Sequence, residues 1–396
     1  MAARKNTDNS AADFDLVIVG ASFAGLAAAR SAAMRGLKVA VMEAKPEPGA
    51  RVHTTGILVP EAAEEIDIPY WLTRRVPGVR LYAPNLNSID LFSPGYAFLT
   101  TRTAELLRWL AREAVMAGAK LVCGTRFEGA QRTGGGLIRI AGEDITARFL
   151  IGADGARSRV ARAFDLDRNR KFLTGVEVEL GPLAVLDRRF LHCFADSALA
   201  PGYIAWAAPG PDVTQLGLAV SGGRKPDLAG FMEKTRPLFH WDKSTIRERR
   251  SGLIPCGGAL RRFADENVML IGDAAGWVSP MTAGGIRTAF RFGRRAGALT
   301  ADHLLNGGPC PDVVLKRQLP RFLIKGLMRR ALDLAWPNPV LNAALSTAPM
   351  RALAQTVYFH RRGAHGIDPE SYRRWLETAD FTTTRTWRPD NLRNMR

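Results

Sequence analysis

The sequence predicts an α/β fold: a parallel β-sheet domain of β-α-β type, an inserted antiparallel β-sheet domain and a C-terminal helical region. Three observations support it. A short apolar strand followed by glycines and a helix occurs three times, near Leu16, Phe149 and Val268. Alternating β-branched runs lie between the second and third of these segments, and prolines interrupt a helical pattern after Leu305. Continuous apolar strands are typical of buried parallel sheets, and alternation is typical of a sheet with two different faces.

The first strand-turn-helix segment lies between Asp15 and Lys45 and almost spells the G-x-G-x-x-G dinucleotide fingerprint of Rossmann-type folds. Gly20 permits the sharp turn after the strand, and Gly25 lets the helix approach the strand closely. Ser22 stands where the second glycine is expected. A serine adds only one hydroxymethyl group, so we expect N–H groups at the helix start still to reach a pyrophosphate.

An acidic residue completes this β-α-β unit. Glu43 comes 23 residues after Gly20, where dinucleotide-binding folds carry the acid that binds a ribose hydroxyl. The predicted elements are a strand at Leu16–Val19, a helix at Gly25–Met34 and a second strand at Lys38–Met42.

The second segment, Phe149–Phe164, places an apolar strand before a turn that contains Asp154 and Gly155. A carboxylate at such a turn can accept hydrogen bonds from main-chain N–H groups and hold a loop against a cofactor, while glycine permits a positive φ. A purely structural Asx turn has the same pattern. Both interpretations stay open at this point.

The third segment, Glu266–Gly297, combines an acid with a helix start. Asp273 can accept a hydrogen bond from a sugar-like hydroxyl, and the helix N-terminus offers partial positive charge to an anionic ring edge, such as that of a reduced flavin. The parts in chain order are a strand at Val268–Ile271, then Gly272 and Asp273, Pro280, Gly284 and Gly285, and a helix from Ile286 through Arg295.

These three segments, in this order, resemble the FAD-dependent oxidoreductases with the para-hydroxybenzoate hydroxylase type of fold, and within that group the geranylgeranyl reductases. The resemblance implies that the first segment holds the ADP half of FAD, that the second lies by the cofactor, and that the third binds ribityl and flavin. The residues carried over by motif are Gly20, Ser22, Gly25 and Glu43, then Asp154 and Gly155, then Gly272, Asp273, Pro280, Gly284, Gly285 and Ile286.

Two shorter stretches also resemble flavin-proximal parts of the family. Arg102 matches an arginine that contacts FAD at the start of a helix, and Arg51 and Gly56 lie in a stretch like the basic, glycine-containing loop near the flavin. As bare sequence, either stretch could be an ordinary loop.

The chain departs from the reductases near the expected substrate. Their Y-x-W-x-F-P element is altered here: Tyr203 precedes Trp206 by three residues, so in a strand the tyrosine would face the opposite side. Trp206 is a candidate wall of the substrate cavity or an ordinary packed aromatic. The family's T-G-E-G-I becomes Thr282–Ile286 without a carboxylate, which removes a proton donor there. Cys256 is expected to be a buried structural cysteine, and His53 is the one catalytic candidate.

The composition and net charge of the chain limit the kinds of partner that we expect it to bind. The formal charge of +17 favours anionic ligands or an anionic membrane, although solvated surface charge is an alternative; no nucleic-acid motif accompanies it. Four scattered cysteines suggest a reducing cytoplasm with neither disulfides nor zinc. The helix predicted at Arg321–Trp336 mixes cations with apolar residues, and either packs on the protein or lies on the inner face of a membrane.

The predicted domains are a discontinuous FAD-binding domain at 13–80, 100–162 and 260–305, a substrate domain at 81–99 and 163–259, and a basic helical region at 306–396. The predicted activity is NAD(P)H-driven reduction of C=C bonds in an isoprenoid or other apolar substrate, with NAD(P)H as a transient reductant. An FAD-dependent monooxygenase of aromatic or polyketide-like molecules is the alternative, and a non-enzymatic lipid- or nucleic-acid-binding protein the remote one.

Overall fold

A computed structural model describes residues 12–242, 245–319, 322–334, 336–359, 362 and 369–378. The described residues form two compact units. The first comprises those of Met1–Arg51, Leu107–Lys171 and Pro255–Lys325, and the second those of Val52–Leu106, Phe172–Ile254 and Gly326–Arg396.

The strands are β1 (Phe14–Val19), β2 (Val39–Glu43), β3 (Ile57–Leu58), β4 (Thr73–Val76), β5 (Gly78–Tyr82), β6 (Ser88–Phe92), β7 (Phe98–Thr101), β8 (Lys120–Cys123), β9 (Ala130–Arg132), β10 (Ile138–Ile140), β11 (Ile145–Gly152), β12 (Phe172–Leu180), β13 (Phe190–Phe194), β14 (Ala205–Pro209), β15 (Thr214–Val220), β16 (Ile246–Pro255), β17 (Ala264–Asp265) and β18 (Val268–Leu270). The helices are α1 (Phe23–Ala33), α2 (Pro60–Ala63), α3 (Thr103–Met116), α4 (Arg159–Ala163), α5 (Leu228–Phe239), α6 (Ile286–Asn306), α7 (Pro311–Gln318), α8 (Leu323–Asp333), α9 (Asn338–Leu345), α10 (Ala348–Phe359) and α11 (Pro369–Thr378).

The sheet of the first unit brings the three glycine-containing turns to one edge. Its main path runs β17-β18-β11-β1-β2-β8, and the pairs from β18 to β8 are parallel. Val19 pairs with Gly152, which in turn pairs with Leu270. The strands β1, β11 and β18 therefore end side by side, and the turns that follow them meet where open parallel sheets bind ligands.

Two helices of this unit pack at backbone contact. A Cβ added to Gly293 of α6 would lie 2.4 Å from the carbonyl oxygen of Ala24 in α1, and one added to Gly297 would lie 2.2 Å from that of Ala28. Only glycine fits at such distances. Helix α6 is also longer than predicted, since it continues past Arg295 to Asn306.

The second unit contains a seven-stranded sheet in the order β16-β12-β15-β14-β13-β5-β6. One face carries the core residues of β12 and β15, including Val178, Leu216 and Leu218, together with Phe231 of α5. A small sheet of β3, β7 and β4 lies in the same unit. The strands predicted from the alternating runs are thus confirmed as β12 and β15.

The predicted fold class is confirmed by these sheets and by the helices from α7 onward. Pro337 and Pro339 stand at the start of α9, and Pro349 at the start of α10, as expected of helix-interrupting prolines. The predicted domain boundaries stay a prediction; the two units differ from them because Val52–Leu106 belongs to the second. Pro320, Arg321 and residues 379–396 lie outside the described residues. No helix within the described ranges has the length and apolar character needed to cross a bilayer.

Candidate functional site

The glycine turn after β1 is closed so tightly that two of its glycines are sterically required. Gly20 has a φ of +104°, and a Cβ there would lie 2.4 Å from the carbonyl oxygen of Ala153. A Cβ on Gly25 would lie 2.0 Å from the carbonyl oxygen of Gly20. Both approaches bring backbone against backbone, as the fingerprint predicts for its first and third glycines.

Ser22 is the N-cap residue of α1, with extended backbone dihedrals of −109° and −172°. Its side chain is exposed, and it makes no capping hydrogen bond within the described part of the chain. The first turn of a helix has N–H groups without intrahelical partners. The Ser22 hydroxyl and those N–H groups are hydrogen-bond donors at the helix start, where such donors can bind an anion.

Glu43, at the end of β2, is buried and forms a hydrogen bond with the glycine turn. Its Oε2 accepts a hydrogen bond from the backbone N–H of Ala21 (2.8 Å), and its Oε1 accepts one from that of Lys45 (2.9 Å). Each carboxylate oxygen can accept a second hydrogen bond, so capacity remains for a ribose hydroxyl. The contact with Ala21 could not be predicted from the spacing.

Asp154 accepts hydrogen bonds from the first turn of the short helix α4, whose N-cap residue is Ser158. Its Oδ2 accepts from the N–H groups of Arg159 (2.6 Å) and Val160 (3.1 Å), and both interpretations of this turn stay predictions. Its Oδ1 is buried and has no hydrogen-bond partner among the described residues. Burial raises the pKa of this carboxyl group. Gly155 has a φ of +82°, and nothing lies within 4 Å of the position that a Cβ would occupy.

Asp273 lies beside the start of α6. A Cβ placed on Gly285, the N-cap residue of α6, would be 3.4 Å from Oδ1 of Asp273. Burial raises the pKa of Asp273 to about 6. Gly272, which precedes it, has a φ of +60°. The carboxylate of Asp273 thus lies next to the N-terminus of α6 at the edge of the sheet, where the helix adds partial positive charge.

Asn169 connects the second and third turns. Its Nδ2 donates hydrogen bonds to the carbonyl oxygens of Asp273 (2.8 Å) and Ala156 (3.1 Å). Sequence reasoning missed this residue because it lies in a polar stretch with no motif. Its role depends on a contact across more than 100 residues, as the separation of 104 positions from Asp273 shows.

The loop before α6 is held by its own polar groups. The N–H of Ser279 donates to the carbonyl of Gly284, and Thr282 Oγ1 donates to Ser279 Oγ at 2.9 Å. Ala283 adopts a φ of +50°, a conformation that glycine accepts more readily. Pro280 and Ile286 flank this loop, as predicted, and their contact with a cofactor stays a prediction.

Arg51, in the first unit, has a φ of +45° and an exposed side chain, and its carbonyl accepts a hydrogen bond from Lys45 Nζ at 2.9 Å. In the second unit, Arg102 forms ion pairs with Asp212 (3.2 Å) and Glu105 (3.7 Å). Their predicted contacts with FAD stay predictions.

Two further site predictions also lie in the second unit. Gly56 has a φ of +76°, and a Cβ there would clash with Thr103 Oγ1 at 2.0 Å. The exposed ring of His53 has its Nδ1 at 2.8 Å from the carbonyl oxygen of Ser251. That contact gives His53 a structural position, and a catalytic role for it stays a prediction.

Tyr203 and Trp206 differ in local structure. Tyr203 lies in the turn before β14 rather than in a strand, with its N–H bonded to the carbonyl of Ala200, so the argument from strand faces was wrong for it. Trp206 lies in β14, half-buried, and donates from Nε1 to Glu177 at 3.0 Å. Cys256 is buried, as expected.

Comparison with known proteins bears on this arrangement. Residues 18–69 match the profile of the NAD(P)-binding Rossmann-like domain, and residues 84–218 match that of the FAD binding domain. The chain is 32% identical over 317 residues to a digeranylgeranylglycerophospholipid reductase from Methanothrix thermoacetophila, covering 74% of this chain and 79% of the relative. The chain belongs to the geranylgeranyl reductase family.

Two solved structures share the fold of this chain. A geranylgeranyl bacteriochlorophyll reductase-like protein from Thermoplasma acidophilum superposes with a TM-score of 0.76 at 21% identity, over 92% of this chain and 98% of that one. A probable FAD-dependent monooxygenase from Pseudomonas aeruginosa gives a TM-score of 0.63 at 18% identity, over 83% of this chain and 99% of that one. The second likeness shows a fold shared with monooxygenases.

Membership of the geranylgeranyl reductase family confirms the predicted FAD-dependent oxidoreductase and its cofactors, FAD and NAD(P)H. The remote non-enzymatic alternative is thereby wrong. The described residues fit an FAD. The glycine turn leaves backbone donors and the Ser22 hydroxyl at a helix start, and the buried Oδ1 of Asp154 lacks a partner among them.

Proposed function

We propose that this protein reduces C=C bonds in the isoprenoid chains of a lipid, using FAD that is re-reduced by NAD(P)H. The observation that carries the proposal is the 32% identity to a digeranylgeranylglycerophospholipid reductase across most of both chains. The substrate class proposed is accordingly a phospholipid with geranylgeranyl chains.

The first unit supplies the residues that would hold FAD. Donors at the start of α1, including Ser22, would bind the pyrophosphate, and Glu43 would accept from a ribose hydroxyl. Asp273 would accept from a ribityl hydroxyl, and the start of α6 would stabilise negative charge on the flavin. Bound FAD supplies hydride transfer from NAD(P)H to the double bond.

The test is anaerobic turnover. The purified protein with FAD and NADPH is mixed with detergent-dispersed digeranylgeranylglycerophospholipid, and the lipid is analysed by mass spectrometry. Reduction adds two hydrogens for each saturated bond and needs no oxygen. A product that gains an oxygen atom, and only in air, would instead support the monooxygenase alternative. Flavin that is reduced by NADPH without any change in the lipid would refute the proposed substrate class.

Peripheral contact with an anionic membrane belongs to the same proposal, and α8 is the surface that supports it. The side chains of α8 reverse the usual exposure pattern of a helix. The charged Arg329 is buried, 3% exposed, while the apolar Ile324 and Leu327 are 76% and 67% exposed. Leu334, just after the helix, is 75% exposed. Arg329 donates to the carbonyl of Gly202 and pairs with Asp333 at 2.7 Å.

The spacing places Ile324 and Leu327 on one face of α8, since residues three apart lie on the same side of a helix, and the exposed Leu334 follows the helix directly. Arg330 is exposed on the same helix, and the chain carries a net charge of +17. Apolar side chains flanked by cations match the acyl boundary and the headgroups of an anionic bilayer.

Flotation with vesicles tests this surface. The protein should float with vesicles of phosphatidylglycerol and phosphatidylcholine, and less with phosphatidylcholine alone, because the charge attracts anionic lipid. Leu327→Glu should reduce flotation at least severalfold. Met116→Glu is the matched control, since Met116 is an apolar residue of similar exposure, at 73%, on α3. Equal loss in both variants would contradict a role for α8.

A further inference from the structure

The loops beside the second and third glycine turns of the first unit carry a cluster of exposed cations. We call it the cationic rim, and its members are Arg157, Arg168, Arg170, Lys171 and Arg261. The neighbouring Arg159 and Arg262 form ion pairs, with Glu128 (2.7 Å) and Asp265 (3.7 Å). The rim cations form no ion pair with any residue that the structure describes. Their charges are therefore free to act on a ligand.

Asn169 brings the loops of the rim together. Its Nδ2 donates to the carbonyl oxygen of Ala156 (3.1 Å), and its Oδ1 lies 2.8 Å from the position of a Cβ on Gly276, the residue that ends the third turn. The carbonyl oxygen of Gly258 lies 2.5 Å from the same position. Two rim cations flank Asn169 in the chain, and a third follows Ala156. Three of the five cations therefore lie where the second and third turns meet.

The remaining two cations are held by the loop after β16. The backbone N–H of Cys256 donates to the carbonyl oxygen of Lys171 (3.0 Å). Asp167 Oδ2 accepts hydrogen bonds from the N–H groups of Arg261 (3.2 Å) and of the residue after it (2.9 Å). An acid of this loop is thus engaged by backbone donors, and the stretch 157–171 contains six Arg and Lys against two Asp.

Two glycines leave the backbone of the rim open. Gly155 in the second turn and Gly258 next to the third have φ values of +82° and +88°, and nothing lies within 4 Å of the position that a Cβ would occupy on either. Like charges around such a surface repel one another, and a bound anion would relieve that repulsion. The rim therefore offers positive charge and uncrowded backbone to an anionic ligand.

The anion that the activity itself supplies is the reductant. NAD(P)H carries a pyrophosphate, and the one dinucleotide fingerprint of the chain, Gly20–Gly25, is assigned to FAD, so NAD(P)H needs another site. That site must bring the nicotinamide to the flavin. The rim meets this condition, because Asn169 also donates to the carbonyl oxygen of Asp273 (2.8 Å), which lies beside the start of α6.

We propose that the cationic rim binds the phosphates of NADPH, with Arg168 and Arg170 recognising the 2′-phosphate that NADH lacks. Both flank Asn169, whose contacts fix this loop, so their backbone is in place before the nucleotide binds. Guanidinium groups bind phosphate oxygens through charge-assisted hydrogen bonds, often two at a time. The proposal concerns the reductant alone and holds whichever substrate the reduced flavin serves.

Calorimetric titration of the oxidised holoprotein with NADP⁺ and NAD⁺ tests the rim without turnover. The wild type should bind NADP⁺ about tenfold more tightly than NAD⁺. Arg168→Gln and Arg170→Gln should each weaken NADP⁺ binding about fivefold, and together roughly twentyfold, with a much smaller loss for NAD⁺. Equal affinities in the wild type, no binding of either nucleotide, or equal losses for both in the variants would overturn the proposal.

Arg139→Gln is the matched control. Arg139 is an exposed arginine of β10 in the same unit, and it pairs with Thr146, six positions before Gly152 in β11. It therefore lies towards the end of β11 that is opposite the second turn, and its substitution removes the same charge. NADP⁺ affinity should change by less than about twofold. A loss equal to that of the rim variants would show that net charge attracts the nucleotide, and the rim would have no special role.

FAD content and stability separate nucleotide binding from a structural role. Both rim variants should keep FAD, and their free energy of unfolding should not fall, because removing one of several like charges relieves repulsion. Loss of FAD would show that these arginines hold the turns instead, which contradicts the proposal.

Anaerobic reduction by NADPH without lipid gives a kinetic measurement of the same site. The NADPH concentration that gives half the maximal rate of flavin bleaching should rise about fivefold in each rim variant, while the maximal rate changes little. Flavin that NADPH does not reduce, or a lower maximal rate at unchanged half-saturation, would overturn the proposal. A protein that passes these tests yet reduces no isoprenoid lipid would contradict the proposed function and leave the role of the rim intact.

Discussion

Two buried acids of the first unit and one of the second are satisfied in different ways. In the first unit, Glu43 and Asp154 accept hydrogen bonds from backbone N–H groups, and the buried Oδ1 of Asp154 has no partner among the described residues. In the second unit, Glu177 is satisfied by the side chains of Thr55, Trp206 and Arg250.

The difference shows what each unit can offer a ligand. Backbone donors hold the acids of the first unit in place and leave acceptor capacity for a polar ligand such as a nucleotide. In the second unit, the carboxylate of Glu177 is engaged by three side chains instead, which leaves it less capacity to accept from a ligand. The following changes test what the first unit offers a ligand.

The largest effect is expected where the first unit permits no side chain. Gly293→Ala should destabilise the protein by roughly 3 kcal/mol or more and release FAD, because its Cβ would meet the backbone of Ala24 at 2.4 Å. Gly326→Ala in α8 is the control: nothing lies within 4 Å, so it should stabilise by about 0.5–1 kcal/mol. Chemical denaturation and FAD content measure both. Similar changes in the two variants would show that the close packing is dispensable.

A smaller effect, of about tenfold, should appear in the pH dependence of FAD affinity. The pKa of Asp273 is raised to about 6. A ribityl hydroxyl that donates to Asp273 needs the ionised form, so FAD should bind about tenfold more weakly at pH 5 than well above pH 6. Titration of the apoprotein followed by flavin fluorescence measures this. Asp273→Asn should remove the pH step, and a step that persists in the variant belongs to another group.

The raised pKa of Asp273 makes folding stability change with pH in the opposite direction to FAD affinity. Without FAD, ionisation of Asp273 is disfavoured in the folded protein, so its contribution to the free energy of unfolding falls as pH rises from 3.8 to about 6. Denaturation of the apoprotein across this window, compared with Asp273→Asn, measures that decrease.

The smallest effect is expected at Ser22. Its hydroxyl makes no capping bond among the described residues, so Ser22→Gly should change stability by only a few tenths of a kcal/mol. If the hydroxyl donates to a phosphate, the free energy of FAD binding should become about 1 kcal/mol less favourable in Ser22→Ala. Calorimetric titration with FAD is the measurement. Tighter binding in Ser22→Gly would mean that the hydroxymethyl group crowds the phosphates.

Local patterns in the sequence were enough to predict the glycine turn, because Gly20 and Gly25 satisfy constraints set by residues close in the chain or by a known strand order. The same holds for β12 and β15, whose alternation is local. Asn169 and Gly217 could not be predicted, since each acts through a contact with a distant strand or turn. Trp206 was identified, but its partner Glu177 was not, because a glutamate in an alternating strand normally indicates a solvent-facing position.

The crossing of α1 and α6 sets a length. Gly293 contacts Ala24, and Gly297 contacts Ala28, so the two helices run in the same direction. Ala24 is the second residue of α1, whereas Gly293 is two turns into α6, so α6 begins about six residues, or ~9 Å, before the level at which α1 begins. With both glycines seated on backbone, neither helix can slide past the other. The two positively polarised helix starts therefore differ by ~9 Å in level, and a ligand with two negative groups would need a similar separation between them to meet both.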